Sequence, residues 1–306
     1  MTRNVDTVLS VSRRTDIPAF YLDWFMQGIE KGCFEVRNPY SGLTRTVDAS
    51  PDAVHTIVFW SKNFGPFLGS GVGNRLTRMG YHLYFQFSIN SESRLLEPNV
   101  PPLDQRLEQL SFLCERFGGM KVAWRFDPVC FYRVEGSHLQ NNLSDFPRIA
   151  DAAHAAGVNR CITSFMDQYR KISRRLSCLK KEGTTVPEPV EPDGETRKKV
   201  IERMAALLEK KGIGLELCCE KALLTELEEH SNVQPGACIS GPLFETLFGG
   251  IPDKRRDRGQ RAGQGCMCTR SVDIGSYRDH PCVHNCLFCY ANPQIDREIS
   301  EKRAGA

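Results

Sequence analysis

One recurring unit constrains this chain more than any other feature: an amphipathic helix, a glycine, then a short β-rich run. It occurs as Arg78-Met79-Gly80 before Tyr81-His82-Leu83-Tyr84-Phe85 and as Phe117-Gly118-Gly119 before Lys121-Val122-Ala123-Trp124. Gly157 likewise precedes Cys161-Ile162, and Gly212 precedes Ile213-Gly214-Leu215. Glycine ends helices in a left-handed cap, and the apolar runs beyond it read as strands. Leu107, Leu110, Cys114 and Phe117 share one helical face, as do Val200, Met204, Leu207 and Leu208. Two earlier strands, Val8 to Ser12 and Thr56 to Trp60, bring the series to about six. Strands alternating with helices favour parallel βα units, and six of them predict an open or incomplete TIM-like (β/α)6 barrel.

The order breaks down after Glu229. Residues 234 to 306 are rich in Gly, Arg and Cys and poor in β-rich runs. The expected organisation is therefore a partial barrel over residues 1–230, with residues 231–306 as a Cys-rich extension packed on it. Barrel-type folds of about 250 residues form single units, so 306 residues do not demand a second core. The stretch from Glu182 to Glu195, with three prolines, reads as a surface loop before a helix. Gly69-x-Gly71-x-Gly73 lacks the strand-then-helix setting of a phosphate loop and reads as a flexible turn.

Thirteen cysteines are many for a chain without the look of a small secreted domain. Ten lie beyond residue 160, and the last five fall within 24 positions, which in a reducing compartment points to metal rather than disulfides. No apolar run approaches the roughly 18 residues needed to cross a bilayer, and arginines interrupt the stretch from Met1 to Tyr21. A cytoplasmic protein with no membrane partner is expected. The net charge of +3 says nothing decisive about nucleic acid. The basic run Lys254, Arg255, Arg256, Arg258, Arg261 could meet phosphate, although a solvated face is the plainer reading. No Walker A, HExxH or nucleophile-elbow motif is present.

Cys282-x3-Cys286-x2-Cys289 gathers three thiolates on one tight loop. Thiolates suit iron–sulfur clusters or zinc. Three cysteines leave one iron of a [4Fe–4S] cube without a protein ligand, whereas a purely structural site is normally closed with four. The competing possibility is zinc, with His280 or His284 as the fourth ligand. Cys218, Cys238, Cys266 and Cys268 could make a second site, closed by four thiolates, for a second iron–sulfur cluster or zinc. Against it, Cys218 and Cys219 could simply pack as small apolar residues at a strand end.

The cysteine loop, with Phe288 just before its last cysteine, resembles the signature of the radical S-adenosylmethionine (SAM) superfamily. That resemblance implies a partial βα barrel in which Cys282, Cys286 and Cys289 hold a [4Fe–4S] cluster while SAM chelates the fourth iron. It further implies reductive cleavage of SAM, hydrogen abstraction from a small-molecule substrate, and an electron donor such as flavodoxin or ferredoxin. The loop departs from that pattern in lying at the C-terminal end of the chain, and no Gly-Gly-Glu segment follows the second strand. Ser12-Arg13-Arg14-Thr15-Asp16-Ile17-Pro18-Ala19, Arg37-Asn38-Pro39, Phe59-Trp60-Ser61-Lys62-Asn63, Arg125-Phe126-Asp127-Pro128 and Cys266 to Gly275 stand as landmarks along the chain. On them, across almost the full length, the chain resembles an uncharacterised group, domain-of-unknown-function family 1848.

In parallel βα folds, ligands bind beyond the carboxyl ends of the strands. Those ends here carry Arg13, Arg14 and Asp16, then Lys62 and Asn63, then Gln86, then Arg125 and Asp127, then Ser164 and Asp167, then Glu216 and Glu220. Arg125 and Asp127 are the candidate catalytic pair. Arg13, Arg14, Asp16, Lys62, Asn63, Gln86 and Glu216 are candidates for holding the cofactor. A non-catalytic zinc or iron–sulfur protein and a conventional metal-dependent lyase or hydrolase remain the alternatives.

Overall fold

The computed structural model describes residues 6–38, 41–227 and 232–291. The boundary expected at 230/231 and residues 292–306 lie outside the described residues. Eight strands form one sheet: β1 (Thr7–Val11), β2 (Val54–Ser61), β3 (Leu83–Ser88), β4 (Val122–Val129), β5 (Arg160–Phe165), β6 (Gly214–Leu217), β7 (Val233–Pro235) and β8 (Val272–Asp273). Their order is β7-β6-β5-β4-β3-β2-β1-β8, and every neighbouring pair is parallel. The six strands expected from sequence form the unbroken run from β1 to β6. The sheet nevertheless holds eight strands rather than six. β7 and β8 are three and two residues long, too short to carry a period.

Helices follow the strands: α1 (Ile17–Phe20), α2 (Leu22–Lys31), α3 (Gly65–Ser70), α4 (Val72–Arg78), α5 (Leu103–Phe117), α6 (Phe146–Ala155), α7 (Arg170–Lys181), α8 (Gly194–Glu209), α9 (Lys221–Glu226) and α10 (Gly241–Phe248). Gly80, Gly118, Gly157 and Gly212, the helix-ending glycines of the repeated unit, all have φ between 65° and 94°. L-residues rarely adopt that conformation. Gly119 is needed for a second reason, since a Cβ there would stand 2.4 Å from the Gly157 carbonyl oxygen. Gly71 joins α3 to α4 in the left-handed conformation, so the expected flexible turn is a helix joint. In the loop expected from Glu182 to Glu195, Glu188–Pro189 pairs with Phe131–Arg133, and Asp193 then caps α8 by accepting from Thr196 N. Among the described residues, no helix is long and apolar enough to cross a membrane.

The two-residue period of the strands splits the core in two. Leu9, Phe59, Phe85, Trp124 and Cys161 face the helices. Their neighbours Val8, Val58, Tyr84, Ala123 and Ile162 face the opposite way and form a separate cluster with Cys218, Cys238, Cys266, Cys268 and Phe244. That second face is concave. In a flat sheet β3 and β7 would stand about 19 Å apart. Yet Gln86 Nε2, on β3, donates to the carbonyl of Cys238, just beyond β7, at 2.6 Å. At the sheet's two outer strands, Met267 N donates to Gly236 O at 3.3 Å and Thr269 N to Ile239 O at 2.9 Å, linking the segment after β7 to that before β8.

Helix α10 fills the concave face near the amino ends of the strands. Phe244 is fully buried with its ring 5.1 Å from that of Tyr84, and Phe248 stacks on His82 at 4.7 Å.

Candidate functional site

Beyond the carboxyl ends of the strands, charged side chains are tied together across long sequence distances. Asp273 of β8 accepts from Ser10 Oγ (2.9 Å), Ser12 Oγ (2.5 Å) and Arg13 N (2.7 Å), fixing the exit of β1. Asp16 accepts from Ser61 Oγ (2.7 Å), Lys62 N (2.8 Å), Ala19 N (3.0 Å) and His284 Nε2 (2.8 Å). It thereby joins β1, β2, α1 and the C-terminal loop. Lys62 Nζ donates to Glu97 Oε1 at 2.6 Å, and Asn90 Nδ2 donates to the same oxygen at 2.8 Å. Burial alone would lower the Lys62 ammonium, but Glu97 and then Cys286 overcome it, and its pKa ends above the ordinary value. Burial pulls Glu97 upward, yet Lys62 and Arg106 win and hold it below its ordinary value. Arg125 and Asp127 form an ion pair, Asp127 also accepts from Ser164 Oγ at 2.5 Å, and Arg125 Nη1 donates to Cys238 Sγ at 2.8 Å.

The candidate cofactor residues divide into two sets. Arg13 and Gln86 lie with Arg125 around Trp60 and Cys238, and Lys62 pairs with Glu97. The guanidinium carbons of Arg13 and Arg125 lie 5.2 and 5.1 Å from the Trp60 ring centre. Asp16, Arg14, Asn63 and Glu216 are tied into the scaffold. Arg14 donates to Gly275 O (2.9 Å), and Asn63 Oδ1 accepts from Gln109 Nε2 (2.9 Å) and Gly65 N (3.1 Å). Glu216 takes a two-pronged bond from Arg160, at 2.6 and 2.8 Å, and Arg160 also reaches the Tyr84 hydroxyl at 2.5 Å. Buried polar atoms are normally hydrogen-bonded. Arg13 Nη2, Trp60 Nε1, Gln86 Oε1 and Glu97 Oε2 are buried without a partner, leaving two donors and two acceptors for a polar ligand.

The cysteine loop folds over this space. Tyr21 Oη donates to Pro281 O (2.5 Å), Asn99 Nδ2 to Val283 O (2.8 Å) and Tyr290 Oη to Arg13 O (3.3 Å). Arg175 of α7, itself buried, donates to the carbonyls of Cys286 (3.2 Å), Leu287 (2.5 Å) and Cys289 (3.0 Å). Burial pushes the Cys286 thiol well up, helped by Glu97 and by its neighbours Cys289 and Cys282, and opposed by Lys62. Burial, Asp16 and Cys289 raise Cys282 in the same way. Both ring nitrogens of His284 are engaged, Nε2 with Asp16 and Nδ1 with Asn99 O at 3.3 Å. His280 Nδ1 accepts from Ser276 N at 3.2 Å while its ring packs on Trp24.

A second sulfur group lies at the concave face. Cys218 Sγ stands 3.7 Å from Cys219 Sγ and 3.8 Å from Cys238 Sγ. Cys219 also lies beside Cys266, and Cys266 beside Cys268, close enough to influence one another's ionisation. Contact with Cys218 and Cys266 holds the Cys219 thiol well below its ordinary value. Among the described residues, no three or more His, Cys, Asp or Glu side chains stand as a ready-made metal cage.

A family described as "Domain of unknown function (DUF1848)" matches residues 8–291. The chain belongs to that family. No curated protein matches it. Among solved structures, it is similar to an L-ribulose 3-epimerase, at 13% identity over 81% of this chain and 75% of that one, with a TM-score of 0.33. It is also similar to morphinone reductase, at 14% identity over 84% of this chain and 64% of that one, with a TM-score of 0.30.

Several residues of this DUF1848 chain join the site without a signal in the sequence. Glu97 sits in the loop after β3, not at a strand end. Arg175 belongs to a helix rich in exposed cations, and only its burial separates it from them. Cys219 neighbours Cys218, and in an extended strand adjacent residues face opposite ways. At φ 65° Cys219 leaves that pattern, and so both thiols join one group. Four of the five cations of the basic run are engaged: Lys254 with Glu245, Arg255 with Asp253, Arg256 with the Cys266 carbonyl, and Arg261 with the distant Asp167. A cavity of about 470 Å³ opens at the amino ends of the strands, bordered by Arg78, Arg116, Lys121 and Phe248, away from both sulfur groups.

Proposed function

We propose that this protein is a radical SAM-like iron–sulfur enzyme acting on a small-molecule substrate, built on a sheet that closes into a TIM-like barrel. In this reading residues 232–291 complete the barrel and cover its mouth. The cyclic strand order, the bonds from Met267 and Thr269 across to Gly236 and Ile239, and the concave inner cluster support closure. The observation that carries the function is the position of the Cys282–Cys289 loop over the carboxyl ends of the strands, where barrel enzymes keep their chemistry.

The donor set fits a cluster with an open iron. Three thiols share one loop, and His284, one of the two imidazoles that could complete a zinc site, has both ring nitrogens engaged elsewhere. Cys282, Cys286 and Cys289 would hold the [4Fe–4S] group, which when bound supplies a low-potential electron and one iron open to SAM. The chain's own residues do the rest. Lys62 sets a buried positive charge beside Cys286, and Arg175 fixes the loop by its carbonyls. Arg13, Trp60 and Gln86 offer unpaired polar atoms to SAM or substrate, and the pair Arg125 and Asp127 orients groups beneath. Electrons would come from a donor such as flavodoxin or ferredoxin.

The test is anaerobic reconstitution with iron and sulfide, followed by EPR of the reduced protein with and without SAM. A reduced-cluster signal that shifts on adding SAM, together with 5′-deoxyadenosine, is expected. Cys286→Ala should take up less than a tenth of the wild-type iron. Wild-type iron content in that variant would overturn the assignment.

A further inference from the structure

We infer that the second sulfur group, Cys218, Cys219, Cys238, Cys266 and Cys268, is a thiolate site for one zinc ion, separate from the loop over the strand ends. Its members come from three segments: the turn after β6, the turn after β7, and the strip before β8. Those are the segments that meet between the outer strands of the sheet. An ion held there would pin the seam.

Two physical demands point to a cation among these sulfurs. The first is countercharge. Arg125 donates to Cys238 Sγ at 2.8 Å, shorter than a neutral thiol ordinarily attracts, and Arg125 shares only one carboxylate, Asp127. The Arg13 guanidinium donates to Ser271 Oγ at 3.2 Å, and Cys268 and Cys238 of the same group favour its charge alongside Asp273. Buried guanidiniums need anionic partners. The second is proximity: Cys218 Sγ lies 3.7 Å from Cys219 Sγ and 3.8 Å from Cys238 Sγ, contacts that thiols make through shared protons and that a bound cation would replace with metal–sulfur bonds. A single divalent ion meets both demands, because ligation replaces thiol protons with metal and leaves a four-thiolate zinc centre with net negative charge.

Size favours one ion over a cluster. With Zn–S bonds of about 2.3 Å, tetrahedral sulfurs lie about 3.8 Å apart. Sulfurs holding a cube of four irons and four sulfides must stand farther from one another. Geometry adds an independent sign. Cys219 is one of two non-glycine residues with positive φ among the described residues, and the other, Asn285, lies within the Cys282–Cys289 loop. A side chain held in the left-handed region costs about 1 kcal/mol or more, and such strain gathers at functional sites. Here it turns two adjacent cysteines toward one point. The main chain supports the sulfurs as well, with Ile239 N donating to Cys268 Sγ at 3.5 Å.

The test is metal content of the full chain purified without chelators, with zinc and iron measured together. About one zinc per chain is expected in the wild type and in Cys286→Ser, with less than 0.2 in the double variant Cys218→Ser/Cys266→Ser. Because that variant could fail to fold, wild-type protein refolded with cobalt(II) is the companion measurement. Intense thiolate-to-cobalt absorption and the visible bands of a tetrahedral centre are expected, displaced by one equivalent of zinc. Unchanged zinc in the double variant overturns the proposal, as does iron in place of zinc at this group, or octahedral cobalt. Loss of iron from Cys286→Ser with zinc retained separates this site from the cluster reading, which can fail without it.

Discussion

A buried lysine and a buried glutamate make the sharpest single-residue case. Lys62 and Glu97 meet at 2.6 Å with side chains 17% and 10% exposed, and Glu97 keeps one oxygen unpaired. Such a pair adds little against well-packed apolar residues, but losing one partner strands the other charge. Lys62→Met should therefore destabilise the fold by roughly 3 kcal/mol in urea unfolding, and Lys62→Met/Glu97→Leu should recover most of that loss. If the double variant is as unstable as the sum of the two single changes, the pair is not coupled and the electrostatic account of the site fails. The pairing is a long-range fact. Lys62 was legible as a strand-end residue of β2, while Glu97, 35 positions on in an irregular loop, carried no periodic signal.

At the scale of elements, the readable part was whatever has a period or a cap. The strands from β1 to β6 announce themselves by apolar runs after glycines, and those glycines adopt the left-handed conformation their position requires. β7 and β8 were illegible because strands of two or three residues carry no pattern and exist only by pairing with β6 and β1. Helix α10 was illegible for a related reason: it follows β7 inside a stretch whose glycines, arginines and cysteines mask its apolar face. Its closing carbonyl accepts from a histidine. His55 Nε2 bonds Gly249 O and Nδ1 faces Thr56 Oγ1, each at 2.7 Å, which suits the neutral ring protonated on Nε2. Burial holds this imidazole below its ordinary value, against the opposing pull of the Gly249 carbonyl. Unfolded chain then takes up a proton near pH 6.5 that the folded chain resists, so stability present above 6.5 declines as pH falls below it. The melting temperature should drop more steeply between pH 7 and pH 5 in the wild type than in His55→Gln. Parallel curves would mean that His55 does not report the docking of α10.

Across the whole molecule, the question is how a cysteine loop from the far end of the chain is held over the mouth of the sheet. The three cysteines were legible from their spacing. Their place over the strand ends was not, because it depends on bonds spanning more than 100 positions. Arg175 contributes most to that hold, since its guanidinium serves three consecutive-turn carbonyls at 2.5 to 3.2 Å, from Cys286, Leu287 and Cys289. Hydrogen bonds from a charged donor are each worth about 1.5–3 kcal/mol, and their loss would leave buried carbonyls unpaired. The loop's other anchors include His284 to Asp16, Asn99 to Val283 O and to His284 O, Leu287 N to Leu96 O, and Tyr290 to Arg13 O. Arg175→Leu should therefore release the loop locally while the sheet, built from separate contacts, stays intact. By hydrogen exchange, amides of residues 282–290 should exchange ten- to a hundredfold faster, where tenfold corresponds to about 1.4 kcal/mol, with protection in β1 to β6 unchanged. Equal acceleration in both regions would make loop and sheet one cooperative unit, and Arg175 a support of the whole fold. Acceleration confined to the loop would make the cover a separately movable part, anchored from α7.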